Sequence, residues 1–449
     1  MTGRKKVLLI AYHYVNKEDT AANRTRGLLT YLPKYGWDVT LITPGLQSQD
    51  AKTPNVLFAN SIKTRIIPII RPHYRKFRSY LTTKKTDKIS SGDSIKSKTI
   101  NSKFLNKVTT TFSILFKLLV KYPDSGSWWY HSPVSVAKKE LKSGNYDAIL
   151  STAAPINAHR IASRLKGLHP SLPWVADFRD LWAGNPYFEV VPWKKEETYV
   201  IEKKYLKNAD VITTVSAGWE EELIALHNKP VKTIMNGFDP EIFGNTSQLS
   251  KKFQIIYAGS LHGNKRDPTI LFEVLSELIS ERYIKKEDLE INIYTGNVSQ
   301  VPELSAKYNL TECVNFSDFI SRDKILSIEK SAQILLLLTW NNQQDAAVFP
   351  AKVFEYLAAE RPILSIGYQG TCSLADLLDE TQAGTHPLTR DELKEQIILW
   401  YREYKECGRV IYRGNRDKVL NYSQLGMAKK FAQLLDSVSA QNNVKKRIS

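Results

Sequence analysis

Cations and carboxylates gather at a few strand-to-helix junctions of this 449-residue chain, and each gathering suits a definable chemistry. The sharpest is AGSLHGNKRDP (258–268), where Gly259 and Gly263 flank a loop carrying Ser260, Lys265 and Arg266 ahead of a helical pattern. Two adjacent cations in such a loop suit a diphosphate, whose negative charge grows when it departs as a leaving group. Further on, VFPAKVFEYLAAERPIL (348–364) sets Pro350 and Ala351 at a helix start, Lys352 in the first turn and Glu355 one turn later. Proline suits a first helical turn, and the open N–H groups there favour an anion by roughly 0.3–1 kcal/mol. A carboxylate one turn on can accept hydrogen bonds from both hydroxyls of a ribose. Lys and Glu three apart are equally what an ordinary surface helix carries.

Three junctions in the first half are weaker. ADFRDLW (176–182) groups Asp177, Arg179 and Asp180, which can orient a sugar hydroxyl or simply form an ion pair. STAAPINAHR (151–160) brings His159 one turn into a helix, where a lone histidine is more often structural than functional. TAANRTRGLL (20–29) places Ala22, Asn23, Arg24 and Arg26 at a helix N-terminus, where small side chains leave amide donors open to an anion. No G-x-G-x-x-G is present and no acidic residue ends the second strand, so a dinucleotide fingerprint is absent.

The elements that must position these residues follow from apolar periodicity. Strands are predicted at 6–12, 38–44, 147–152, 173–178, 210–216 and 231–235, then at 253–259, 289–296, 314–316, 332–339 and 362–367. Helices are predicted between them, at 21–35, 132–142, 156–166, 196–207, 217–227, 268–280, 301–307, 322–330 and 351–359, and then at 372–379, 390–405 and 423–438. Short apolar strands alternating with helices imply parallel sheets covered on both faces. Their number exceeds one sheet, so the expectation is two doubly wound α/β domains, 1–236 and 237–420, with 421–449 as a terminal helix and basic tail. Ligands of such sheets bind beyond the carboxyl ends of the strands, where the strand order reverses.

Composition narrows the classes. Hydrophobic residues at 42% and charged residues at 24% are those of a globular protein. Three cysteines (Cys313, Cys372, Cys407) exclude a disulfide framework and fit a reducing compartment. The apolar run in MTGRKKVLLIAYHY is too short for a signal peptide, and pure apolar runs such as ILLLL at 334–338 are far from the ~18 residues of a membrane span. A cytoplasmic protein is therefore expected.

The net charge of +17 is unevenly placed: residues 61–122 hold fifteen Lys/Arg against Asp87 and Asp93. Such a patch attracts polyanions, whether an anionic membrane, nucleic acid or a phosphorylated substrate. Inside it, 104–122 spaces Phe104, Val108, Leu115, Phe116 and Leu119 at helical intervals among lysines. That pattern serves equally a domain core or a helix lying on a membrane. The aromatic residues follow helical periodicity rather than forming a stacking platform, and no nucleic-acid-binding signature appears, so nucleic acid is not the expected partner.

The ordered set KVLLIAYHY, ANRTRGLLTYL, DAILSTAAP, WVADFRDLW, ADVITTVS, MNGFDPEIF, YAGSLHGNKRDP and FPAKVFEYLAAERPIL resembles glycosyltransferase family 4, within it the bacterial cell-surface polysaccharide enzymes, over roughly 5–45 and 130–440. The resemblance implies a GT-B fold, two Rossmann-like domains facing across a cleft, with a nucleotide-diphosphate sugar on the C-terminal domain and an acceptor on the N-terminal one. It implies transfer with retention, no metal and no other cofactor. By position, Lys265 and Arg266 would hold the donor diphosphate, with Gly259, Ser260, Pro350, Ala351 and Lys352 around it, and Glu355 the ribose. Lys265, Arg266, Asp177 and Asp180 are the expected catalytic set. Ala22, Asn23, Arg24, His159 and Arg179 would face the acceptor, and Asn236 and Gly237 the hinge. The last helix would cross back to the first domain. Two positions depart from the family pattern: Ala347 stands where a glutamate is usual, and Gly259-Ser260 where Gly-Arg is usual.

The expected activity is hexose or N-acetylhexosamine transfer, UDP ahead of GDP, to a lipid-linked or saccharide acceptor of O-antigen, capsule or exopolysaccharide synthesis. The rivals are a basic nucleic-acid-binding protein and a non-catalytic nucleotide-sugar-binding module on the same scaffold. The charge at 61–122 implies peripheral contact with the anionic inner face of the cell membrane. Flotation of the chain with anionic liposomes is expected to depend on residues 70–120; no binding with or without them refutes the contact.

Overall fold

The computed structural model describes residues 3–16, 21–45, 55–60, 124, 126, 128–185, 195–243, 247–261, 265–296, 301–318, 320–341, 349–370 and 372–448. The basic insertion 61–122 with its 104–122 pattern, His262 to Asn264, and Ala347 lie outside them.

Two compact units are present: Met1–Thr214 with Leu223–Lys232 and Ala432–Ser449, and Val215–Glu222 with Thr233–Phe431. In the first, β1 (Lys5–Ala11), β2 (Trp37–Thr43), β3 (Val56–Phe58), β4 (Ala148–Ala153), β5 (Trp174–Phe178), β6 (Val211–Thr214) and β7 (Val231–Thr233) form a seven-stranded sheet in the order β3-β2-β1-β4-β5-β6-β7. In the second, β8 (Phe253–Ala258), β9 (Leu289–Tyr294), β10 (Val314–Ser317), β11 (Ile334–Leu338), β12 (Ile363–Ile366) and β13 (Gly384–Thr385) form a six-stranded sheet in the order β10-β9-β8-β11-β12-β13. The α/β, doubly wound class expected from the sequence is what the chain adopts. Both orders reverse beside the unit's first strand, at β1/β4 and at β8/β11, and those are the crevices where such sheets take ligands.

The strand runs are apolar because both faces are covered. Along β11, Ile334, Leu336 and Leu338 pack in one core with helices Thr269–Ser280 and Arg390–Cys407, while Leu335 and Leu337 pack in another with Lys352–Ala359 and Ser373–Thr381. ILLLL is therefore continuous rather than alternating, and each buried leucine contributes roughly 1.5–3 kcal/mol of transfer free energy.

Differences from the periodicity have local causes. The first helix stops at Tyr31 instead of Tyr35, because Pro33 diverts the chain into a 3-10 turn over Leu32–Tyr35 that Gly36 closes at φ 85°. Strands β3 and β13 and helix Arg416–Leu420 are too short for any period to reveal.

The terminal helix Gln424–Ile448 gives its first turns to the second unit and, from Ala432, joins the first. In the first unit Asp436 accepts from Lys5 Nζ at 2.6 Å and from Trp37 Nε1 at 3.1 Å. In the second, Gln424 N–H donates to the Phe238 carbonyl at 2.7 Å and Phe238 N–H to Tyr422 O at 3.2 Å. That pairing requires glycine beside it, since a Cβ on Gly237 lies 2.3 Å from the Ser423 carbonyl carbon. Backbone cannot yield as a side chain does, so Gly237→Ala is expected to cost about 1–3 kcal/mol, read as a lowered urea midpoint with an unchanged slope.

Candidate functional site

The second unit's crevice is opened by one side chain. β8 and β11 pair only through Ile255↔Ile334 and Ile256↔Leu335. Beyond that register Tyr356, fully buried on helix Lys352–Ala359, puts its hydroxyl between them, accepting from Ala258 N–H at 3.3 Å and donating to Leu336 O at 3.2 Å. Burial first, and then nearby carboxylates, hold that hydroxyl protonated far above any working pH.

The loop leaving β8 begins at this opening. Gly259 lets the Tyr257 hydroxyl and the Arg266 guanidinium approach, a Cβ there lying 3.1 Å from Tyr257 Oη and 3.8 Å from Arg266 Nη1. Tyr257 O–H donates to Ser260 O at 2.9 Å, and Arg266 Nη1 donates to the same carbonyl at 3.2 Å. Arg266 N–H donates to Leu261 O at 3.1 Å. The two cations predicted as a pair are thus divided in task. Arg266 is half-buried and braces the loop, whereas Lys265 is exposed, its Nζ 4.4 Å from the centre of the Trp340 ring just past β11. Lys265 also lines a cavity of about 410 Å³ with Thr269, Glu273, Thr339, Asn341 and Gln369, in which polar groups from the ends of β11 and β12 converge.

Helix Lys352–Ala359 follows, with no side chain among the described residues capping its N-terminus at Ala351; Pro350 precedes it and accepts from Val353 N–H at 2.9 Å. Its charged residues form an alternating chain. Lys352 Nζ lies 2.6 Å from Glu355 Oε2 and 2.9 Å from Glu329 Oε1, and Arg322 Nη2 lies 2.9 Å from Glu355 Oε1. Glu329 is 0% exposed, whereas the other three side chains reach solvent at 16–25%. Burial pushes Glu329 up to about 7, against the pull of Lys352 and Arg322 and with the push of Glu355. The two carboxylates raise the Lys352 ammonium above its ordinary value although burial opposes this. Sequence reading singled out Lys352 and Glu355 but not Arg322, Glu329, Trp340 or Tyr356. The available signal for Glu329 was a carboxylate one turn after Ile325 on the apolar stripe of helix Arg322–Ser331.

In the first unit the expected residues separate. Arg24 donates from Nε to Asp177 Oδ2 at 2.8 Å and from Nη2 to Oδ1 at 2.7 Å, and Thr213 O–H adds a bond to Oδ1 at 2.7 Å. The pair is 1% and 0% exposed. Burial pushes Asp177 upward, and Arg24 with the Thr213 and Thr152 hydroxyls more than offsets it, holding the carboxyl below its usual range. Both expected roles give way to a different one: neither Asp177 nor Arg24 reaches solvent, and together they fix the end of β5 to helix Ala21–Tyr31. Ala22 is buried beside them. Asn23 accepts from Arg26 Nη2 at 2.7 Å, and Arg26 Nη1 donates to Tyr14 O and Asn16 O at 3.1 Å, which ties down the first loop. His159 is also fully buried, its Nδ1 2.8 Å from Ser151 Oγ and its ring 4.7 Å from that of Phe178. Burial above all lowers it to about 3, so it is a neutral core residue and not an acceptor contact. Asp180, half exposed and paired with Arg179 at 3.0 Å, is the carboxylate of this group that solvent reaches. Asp124 was not anticipated: buried, it accepts from Gly126 N–H at 2.9 Å and Ile156 N–H at 2.6 Å, and burial lifts it to about 6.

Breaking a buried pair leaves an uncompensated charge, so Arg24→Met alone is expected to cost about 3–5 kcal/mol, most of it recovered in Arg24→Met/Asp177→Leu. Because the folded Asp177 pKa is depressed, its stabilisation is complete above the unfolded value of about 3.9 and is lost progressively as pH falls from there through the folded one. Urea unfolding at pH 7 and below 4 checks both: the gap between wild type and Arg24→Met should narrow in acid.

No protein-family model matches the chain, and no curated protein matches it in sequence. In structure it is similar to sucrose-phosphate synthase from Thermosynechococcus elongatus (TM-score 0.54, 14% identity, covering 98% of this chain and 100% of that one). It is similar to the N-terminal domain of Candida albicans trehalose-6-phosphate phosphatase (0.52, 12%, 97% and 97%). A third likeness is the apo form of the lipopolysaccharide outer core galactosyltransferase WaaB (0.52, 12%, 96% and 99%). At these identities the likeness is one of fold, and the two parallel-sheet α/β units match the GT-B fold class.

Proposed function

We propose that the chain is a retaining, metal-independent glycosyltransferase of the family-4 kind. It moves a hexose or N-acetylhexosamine from a nucleotide-diphosphate sugar, UDP ahead of GDP, to a lipid-linked or saccharide acceptor in surface-polysaccharide synthesis, in the cytoplasm at the inner membrane face. The observation that supports this best is the β8/β11 crevice. A solvent-facing cation, Lys265, stands at one lip beside a polar cavity, and the carboxylate of Glu355 rises one turn into the helix that follows β11. The WaaB likeness adds that a galactosyltransferase of lipopolysaccharide shares the fold.

In this reading the anomeric C–O bond breaks with its electron pair passing to the diphosphate, while the acceptor oxygen bonds to the same face of that carbon and hands its proton to the departing diphosphate oxygen. Lys265 stabilises the charge arriving on the diphosphate, and the amides in the first turn of helix Lys352–Ala359 add to it. Arg266, Gly259 and Ser260 shape the loop that presents Lys265. Glu355 accepts from the ribose hydroxyls, exchanging part of its hold on Lys352 and Arg322 for them. Asp180, beside Arg179, is the carboxylate offered to an acceptor hydroxyl, while Asp177 holds that loop in place.

Lys265→Ala is expected to lower transfer from a labelled nucleotide sugar by about 10²–10³-fold, the scale of a lost charge stabiliser, with an unchanged melting temperature. Undiminished turnover refutes the assignment. Arg266→Ala should differ by also lowering the melting temperature. Glu355→Ala should weaken nucleotide binding in calorimetry more than it lowers the rate at saturation.

A further inference from the structure

Glu329 has no part in the reading above, yet it faces Lys352 from the helix packed alongside. We infer that Glu329 is a positioning residue for donor binding: its buried carboxylate shares the Lys352 ammonium with Glu355 and thereby frees Glu355 to accept the ribose diol. The inference rests on the nucleotide-sugar reading of this site and deepens it.

Geometry carries the argument. Lys352 Nζ is within 2.6 Å of Glu355 and 2.9 Å of Glu329, so the ammonium bridges a solvent-reaching carboxylate and one sealed from solvent. A ribose can displace Lys352 from Glu355 only if the displaced ammonium keeps an anionic partner, since an unpaired charge in a half-buried position is costly. Glu329 is that partner and, being 0% exposed, meets no ligand itself. The groups that face it are Arg322 on its own helix and Lys352, Glu355 and Tyr356 on the neighbouring one, with Tyr257 of β8 facing Lys352. Lys330, next in sequence, donates instead to Ile242 O at 2.7 Å. With its carboxyl at about 7, Glu329 changes from neutral to charged across the physiological range. When it is protonated it holds Lys352 weakly, and the ammonium falls back on Glu355. Donor affinity should therefore rise as pH rises through about 7.

Calorimetry of UDP-glucose and GDP-mannose binding at pH 6, 7 and 8 tests this, because their diphosphate diesters do not titrate there. For whichever binds, wild-type affinity should rise about tenfold from pH 6 to 8. Glu329→Gln, which keeps shape and removes charge, should match wild type at pH 6, fall about tenfold below it at pH 8, and lose the pH dependence. A purely packing role would lower the melting temperature without opening a pH-dependent gap. Equal affinity of the two proteins at pH 8 overturns the inference and leaves the nucleotide-sugar reading standing, as does a flat wild-type profile, which needs no variant. Failure of the wild type to bind either compound, or UDP or GDP alone, overturns the donor reading and this inference together.

Discussion

A single hydroxyl governs the geometry of the second unit. By taking the Ala258 amide and giving its proton to the Leu336 carbonyl, Tyr356 replaces the next rung of the β8–β11 ladder with a side chain. A ladder that continued would bring the strand ends together and leave no room between them. A nonpolar residue at this position would leave two buried backbone groups without partners, which costs as much as the bonds are worth. The same side chain belongs to the helix that carries Lys352 and Glu355, so the opening and the charges beside it are set by one element.

The two units use charge in opposite ways. Arg24 and Asp177, joined by the Thr213 hydroxyl, are closed to solvent, so their electrostatics hold helix Ala21–Tyr31 to the end of β5. Arg322, Glu355, Lys352 and Glu329 form an alternating series, sealed from solvent at the Glu329 end and open to solvent at the other. An open series of alternating charges can exchange a partner for a ligand group with little net loss, because each remaining ion keeps a neighbour. Similar residue types, placed after similar strands, thus perform architecture in one unit and suit recognition in the other. Only burial distinguishes them.

That difference explains how much was legible in the sequence. Continuous apolar strands such as ILLLL, alternating with amphipathic helices, disclose a parallel sheet because burial on both faces is written directly into residue type. The segments at the ends of β8 and β11 invite a chemical reading for a related reason: Gly259, Lys265, Lys352 and Glu355 are residue types whose local chemistry is specific. Sequence does not state which member of a charged group faces solvent. Asp177 and Arg24 read as site residues because nothing in ADFRDLW or ANRTRGLL reveals that the two segments, over 150 positions apart, meet and neutralise each other. His159 misled in the same way, its neutrality being the product of Ser151, Trp174 and Phe178 packed around it. Lys265 and Arg266, adjacent in sequence, diverge because the Ser260 carbonyl claims one of them.

The sealed contact between Arg24 and Asp177 also constrains how this protein can drift over generations. Neither partner can be lost first without stranding a lone ion in the interior, so single-step replacement is barred at both positions. Lineages that abandon the pair must do so through a short-lived, poorly folding intermediate or by near-simultaneous change. Among descendants of this chain the two positions should therefore switch together, from the charged couple to a nonpolar one, with mixed forms scarce.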